Sequence, residues 1–133
     1  MKILRLPLKM KWFEMTKNGI KKEDYREITP YWCSRFLTQN YEMERSVWLE
    51  MVSDLSNKNR RHSSVEECLS FFNVKFRHFD ANFMTLGYPK GNDTERIVRF
   101  EHKGIEIREG KEEWGAERGR LYFAIKHGEL IIK

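Results

Sequence analysis

One hundred and thirty-three residues with 40% hydrophobic and 14% aromatic side chains suit a single domain, residues 1–133, and exclude a disordered chain. A chain of this size buries roughly two-thirds of the surface that its unfolded form exposes, enough for a real core. The net charge of +5 is compatible with an anionic partner, with a solvated surface of mixed sign as the alternative.

The basic excess is local. Residues 1–30 hold eight Lys/Arg against four Asp/Glu, whereas residues 89–120 hold eight of each, so a basic face is expected from the first third of the chain. Met1-Lys2-Ile3-Leu4 is followed at once by Arg5 and Pro7. No signal-like segment and no membrane-length window are expected, and the protein reads as soluble and cytoplasmic. Cys33 and Cys68 have neither the spacing nor the histidine company of a zinc site and read as buried free thiols of a reducing compartment. No metal and no cofactor are expected.

Lys2 to Leu6 alternates basic and apolar residues and predicts a first strand, with Pro7 stopping it or starting the next element. Leu8, Trp12 and Met15, with Phe13 beside them, fall at helical spacing opposite Lys9, Lys11, Glu14 and Lys17. Gly19 sits where a C-terminal cap belongs. Lys21 to Ile28 reads as a strand with Lys22, Asp24 and Arg26 on one face and Lys21, Glu23, Tyr25 and Glu27 on the other. Neither face is apolar, so one must look into a polar cleft or solvent. Thr29-Pro30 opens a helix whose stripe is Tyr31, Trp32, Phe36 and Leu37.

Ser46 to Leu55 reads as either a helix or a strand, and Ser56 to His62 as a polar loop. Ser64 with Glu67 forms a capping box ahead of the stripe Val65, Cys68, Leu69 and Phe72. From Val74 onward strands are expected: Val74, Phe76 and His78 alternate, and Phe83 to Gly87 follows a short break. Pro89 to Asp93 is a turn. His102-Lys103-Gly104 and His127-Gly128 read as the turns of two hairpins. Glu109 to Arg120 reads as a loop around Trp114. Several strands with two or three short helices suggest an α+β chain built as a small barrel with helices outside.

Asn18 to Glu27 contains the pattern Gly19-x-Lys21-x-x-Asp24-x-Arg26. This resembles the signature of the ASCH domains, a branch of the PUA-like superfamily, with Asp24 where the family most often has Glu. Trp12-Phe13-Glu14-Met15 and Pro30-Tyr31-Trp32 resemble the opening of small prokaryotic and phage members. Leu86-Gly87-Tyr88 and Gly104-Ile105-Glu106-Ile107 resemble their middle, and Glu113-Trp114-Gly115-Ala116, Tyr122-Phe123 and Ile125-Lys126 their end. The resemblance implies a PUA-like β-pseudobarrel with a few short peripheral helices and RNA binding in a cleft beside the motif. One branch hydrolyses N4-acetylcytidine, and its motif is similar at Lys21 and Arg26 but carries a threonine nucleophile where this chain has Asp24. A carboxylate cannot replace that hydroxyl, although it can serve as a general base on water or orient Lys21 and Arg26. Another branch is ribonuclease-like.

Lys21, Lys22 and Arg26 are therefore the candidate phosphate or base contacts, against a surface ion pair with Asp24 or Glu23. Lys21 and Asp24 are also the candidate catalytic pair. Tyr88 and Trp114 lie in glycine-flanked loops, where a ring either stacks on a base or packs into the core. Trp12, Trp32 and Trp48 read as core. Lys58, Arg60 and Arg61 make a phosphate-contacting loop or a solvated one. His78 and His102 fall on strand patterns and are either structural or an acid or base. Three functions follow: a module binding RNA or a modified nucleoside or nucleotide, a hydrolase acting on one of these, or an interaction domain holding a peptide or small anion.

Overall fold

A computed structural model describes residues 1–39, 43–56, 65–90 and 92–132. Lys58, Arg60, Arg61, the Ser64 cap and the Gly91 turn position lie outside the described residues. The elements are β1 (Ile3–Leu8), α1 (Met10–Lys17), β2 (Glu23–Arg26), α2 (Pro30–Phe36), β3 (Leu37–Gln39), α3 (Arg45–Ser56), α4 (Val65–Phe71), β4 (Val74–Phe76), β5 (Ala81–Leu86), β6 (Ile97–Glu109) and β7 (Leu121–Leu130). Five strands form one sheet in the order β1-β5-β6-β7-β2, and β3 pairs with β4 apart from it. The larger sheet is mixed, since β1 runs parallel to β5 and β6 antiparallel to it. This is the expected α+β class, and it is compatible with a β-pseudobarrel. By contact density the chain divides into two units, Met1–Asp24 with His78–Gly104 and Ile125–Lys133, and Tyr25–Arg77 with Ile105–Ala124.

In the first unit, β1 extends through Pro7 to Leu8 rather than stopping at Leu6. The strand stands at the end of the sheet order, so the ring that lacks an N–H is tolerated there. Leu4, Leu6 and Leu8 are buried, each contributing about 2 kcal/mol of transfer free energy. Because the strand takes Leu8, α1 begins at Met10 and buries Phe13 and Thr16 instead of a Leu8, Trp12 and Met15 stripe. The Thr16 hydroxyl donates to the Trp12 carbonyl at 2.7 Å, which satisfies it inside the core. On the opposite face, Ala81, Phe83 and Ile97 cluster with Ile3 and Ile131. The Arg5 and Arg99 guanidinium groups lie 5.0 and 5.1 Å from the Phe83 ring centre, from the two positions that register beside it.

The second unit starts as the sequence predicts. The Thr29 hydroxyl accepts from the Trp32 N–H at 3.3 Å, and Pro30 takes the first position of α2. The buried stripe is Cys33, Phe36 and Leu37 rather than Tyr31, which is exposed. Residues 45–56 resolve as a helix that buries Met51, Val52 and Leu55. α4 buries Cys68 and Leu69, with Phe72 just beyond it. Phe36 and Phe123 meet edge to face at 5.1 Å at the centre. Of the loop expected over Glu109 to Arg120, Glu109 belongs to β6 and Glu112–Trp114 forms a 3-10 turn, and the segment is latched by two phenols. Tyr25 accepts from the Lys111 N–H and Tyr122 from the Glu117 N–H, both at 2.9 Å. A Cβ at Gly110 would lie 2.7 Å from the Tyr25 ring, so only glycine fits under that latch.

Both predicted hairpins are absent. β6 continues through His102-Lys103-Gly104, and β7 through His127-Gly128. Gly104 absorbs a φ of +109° inside its strand, so the glycine marks an irregularity rather than an end. A Cβ at Gly128 would meet the Lys103 side chain at 2.6 Å, which points to close approach of a neighbour and not to a turn. No helix among the described residues is long and apolar enough to cross a membrane.

Candidate functional site

The glycine after α1 does what its position predicts. Asn18 caps the helix, and Gly19 turns left-handed at φ +76°. The Gly19 N–H donates to Thr16 O at 3.1 Å, while Ile20 N–H and Lys21 N–H donate to Met15 O at 2.9 and 3.0 Å. This is the reciprocal closure of a Schellman end, and it fixes where Lys21 leaves the helix. β2 begins only at Glu23, so Lys21 does not obey strand alternation. Instead of facing away from Asp24, its side chain turns back to it. Lys21 Nζ donates to the Glu23 carbonyl at 2.7 Å and lies 3.4 Å from Asp24 Oδ1. The two side chains are 3% and 4% exposed, and the Trp12 ring centre is 6.0 Å from the ammonium.

A second polar group is buried in the same unit. Asn82, fully buried on β5, registers opposite Phe100 on β6; Phe100 and His102 therefore share its face. Asn82 Oδ1 is 2.7 Å from His102 Nδ1, and Asn82 Nδ2 lies 3.1 Å from the Lys126 carbonyl and 2.9 Å from His127 Nδ1. The His127 backbone N–H donates to Lys22 O at 3.1 Å, which ties this cluster to the segment carrying Lys21. Phe100 stacks on the His127 ring at 4.7 Å, and Phe79 meets His102 edge-on at 5.4 Å.

Burial pushes both imidazoles down to about 4. At His127 the Asp24 carboxylate opposes that shift, and Lys21 and His102 add to it. Both rings are neutral at pH 7. The unit thus holds a buried cation beside a buried anion, and two neutral imidazoles bridged by one amide. Such a set can orient a polar ligand and offer directed donors in a dry setting. Sequence reasoning passed over His127 and Asn82. His127-Gly128 mimics a turn dipeptide, and Asn82 stands as one polar residue in an apolar run. The one available signal was a β-rich run on both sides of His127.

Lys22 is exposed. Tyr88 is 92% exposed, on a turn in which Gly87 N–H donates to Leu8 O and the Thr85 hydroxyl to Gly87 O. His78 lies beyond β4, not within it, and its ring pairs with Asp80 at 3.1 Å on the surface. In the second unit the Arg26 guanidinium lies 5.0 Å from the Trp32 ring centre, and Trp32 stacks on Phe36 at 5.3 Å. Trp114 is half-buried, with Lys111 Nζ 4.4 Å from its ring centre. Trp12, Trp32 and Trp48, expected in the core, are all half-buried, whereas Phe13, Phe36 and Met51 beside them in sequence are buried. Cys33 and Cys68 are buried free thiols, and burial raises the Cys33 thiol to about 12, which makes Cys33 an inert packing group. No family model, curated protein or solved structure matches the chain.

Proposed function

We propose that the protein is an RNA- or nucleotide-binding module of the ASCH type within the PUA-like superfamily, with its recognition site in the first unit around Lys21 and Asp24. The observation that carries this reading is the buried ion pair, at 3.4 Å with both side chains almost fully covered. Desolvating two charges contributes little net stability, which supports a role for the pair in positioning this segment, with its exposed Lys22, for a ligand. Lys22 supplies exposed positive charge next to it, and the Tyr88 ring is free to stack on a base. Arg26 of the second unit, carried on Trp32, adds a phosphate contact of its own.

Fluorescence anisotropy with single-stranded RNA across a salt series tests this. Affinity is expected to fall with salt, and Lys22→Ala and Arg26→Ala are each expected to weaken binding and reduce the slope of log K against log salt by about 1. Absent binding, or binding indifferent to salt, would sink the reading.

The contact between Lys21 and Asp24 also favours a second reading, a hydrolase of a modified nucleoside in which the carboxylate activates water beside the ammonium. Its signature is turnover of N4-acetylcytidine that disappears in Asp24→Asn. A protein that binds RNA and leaves N4-acetylcytidine intact belongs to the first reading alone.

A further inference from the structure

In the second unit, α2 buries Cys33 and Phe36 and leaves Tyr31, Ser34 and Arg35 exposed. Tyr31 and Arg35 stand four residues apart on the helix, so they share a face. The Arg35 guanidinium lies 5.7 Å from the Tyr31 ring centre and 6.0 Å from that of Trp32. Arg26 approaches the same indole at 5.0 Å. Tyr31 meets Trp32 edge to face at 4.8 Å, and Trp32 stacks on the buried Phe36 at 5.3 Å. Rings and guanidinium groups thus alternate along a run that is anchored in the core at Phe36 and reaches solvent at Tyr31, which is 59% exposed.

Two properties separate this face from an ordinary solvated helix surface. The Tyr31 ring is accessible yet held by Arg35 and Trp32, so a flat ligand stacking on it has little side-chain freedom left to quench. The charge is also one-sided. α2 contains no acidic residue, and among the described residues Arg35 forms no ion pair. Glu27, on the segment leading into the helix, is engaged by Arg120 at 3.3 Å. Arg35, held by rings, therefore has N–H donors to offer an oxyanion.

We infer that the exposed face of α2 is a stacking platform for single-stranded RNA, with the Tyr31 ring taking a base and Arg35 and Arg26 the adjoining phosphates. The inference rests on the RNA-binding reading and gives it a contact surface in the second unit. A ring beside guanidinium groups matches a strand that alternates flat bases with phosphates. A duplex is the poorer match, because its bases are already stacked on one another. An acidic protein partner would satisfy the arginines and leave the ring without a flat counterpart.

Fluorescence anisotropy with single-stranded RNA octamers across a salt series separates the roles. Tyr31→Ala is expected to weaken binding about tenfold without changing the slope of log K against log salt, since stacking releases no counter-ions. Tyr31→Phe keeps the ring and is expected to bind within about twofold of the parent. Arg35→Gln is expected to reduce the slope by about 1. In the parent protein the Tyr31 ring protons are expected to shift on octamer binding, a readout that needs no variant to fold. Binding that weakens in Lys22→Ala but is untouched by Tyr31→Ala and Arg35→Gln would overturn the inference and leave the RNA reading standing. A change of oligomeric state in Tyr31→Ala, with RNA affinity unaltered, would overturn it too and make this face a protein contact. Failure of every octamer to bind removes the RNA reading and this inference together.

Discussion

Asp24→Ala is expected to destabilise the protein by about 3–5 kcal/mol, the cost of leaving a buried charge without its counter-ion. Lys21 is 3% exposed, with Nζ 3.4 Å from Asp24 Oδ1. Water cannot take over the role of the lost carboxylate without opening the helix end that α1 closes through Gly19. The Glu23 carbonyl, 2.7 Å away, remains as a dipole beside the ammonium. The paired replacement Lys21→Met with Asp24→Leu removes both charges while keeping apolar volume, and is expected to return to within about 1 kcal/mol of the parent, since a buried pair gains little over an apolar one. Urea unfolding with unchanged m-values reads both numbers. If Asp24→Ala costs less than about 0.5 kcal/mol, the level of an exposed ion pair, the pair is solvated in solution and the argument for a dry site fails.

Lowering the pH from 7 to about 4 is expected to remove roughly 3 kcal/mol of stability through His102 and His127, at about 1.4 kcal/mol per pH unit for each ring and reduced for their partial exposure. Both folded-state values lie near 4 against an ordinary 6.5. As pH falls below 6.5 the unfolded chain binds protons that the folded chain refuses. The contribution is thus complete above pH 6.5 and drains away towards pH 4. At His102 the groups that act on the ring after burial are His78, Asp80 and Lys126; at His127 they are Asp24, Lys21, His102 and Glu23. Asp80 is itself held below its usual 3.8 by the Lys2 N–H and by His78, so its own contribution is lost only at lower pH. Thermal melts between pH 7.5 and 4.5 measure the slope. The double variant His102→Gln with His127→Gln is expected to flatten it, and an unchanged slope would show that carboxylates, not these rings, govern the acid side.

The signals that end α1 and open α2 were legible because they act at short range. Gly19 ends α1 and Thr29-Pro30 opens α2 as written, since a left-handed glycine and a hydroxyl cap need no tertiary partner. The relation of Lys21 to Asp24 was misread, because period two applies only inside a strand and β2 starts two residues later than its charge pattern suggests. The two false hairpins share one cause. Gly104 and Gly128 look like turn glycines, yet one accommodates an irregular φ inside β6 and the other the close passage of Lys103; neither need is specified by the local sequence. The Asn82, His102 and His127 cluster joins residues 20 to 45 positions apart, and nothing in a linear pattern announces such a meeting.

Pro7 has a consequence for association. It sits half-buried in β1, at the end of the strand order, with the exposed Arg5 two residues before it. A second chain docking there would find one rung of its hydrogen-bond ladder missing, because Pro7 carries no N–H. Sheet proteins fibrillise by recruiting strands onto such margins, and this margin is blunted by imino acid and charge within three residues of each other.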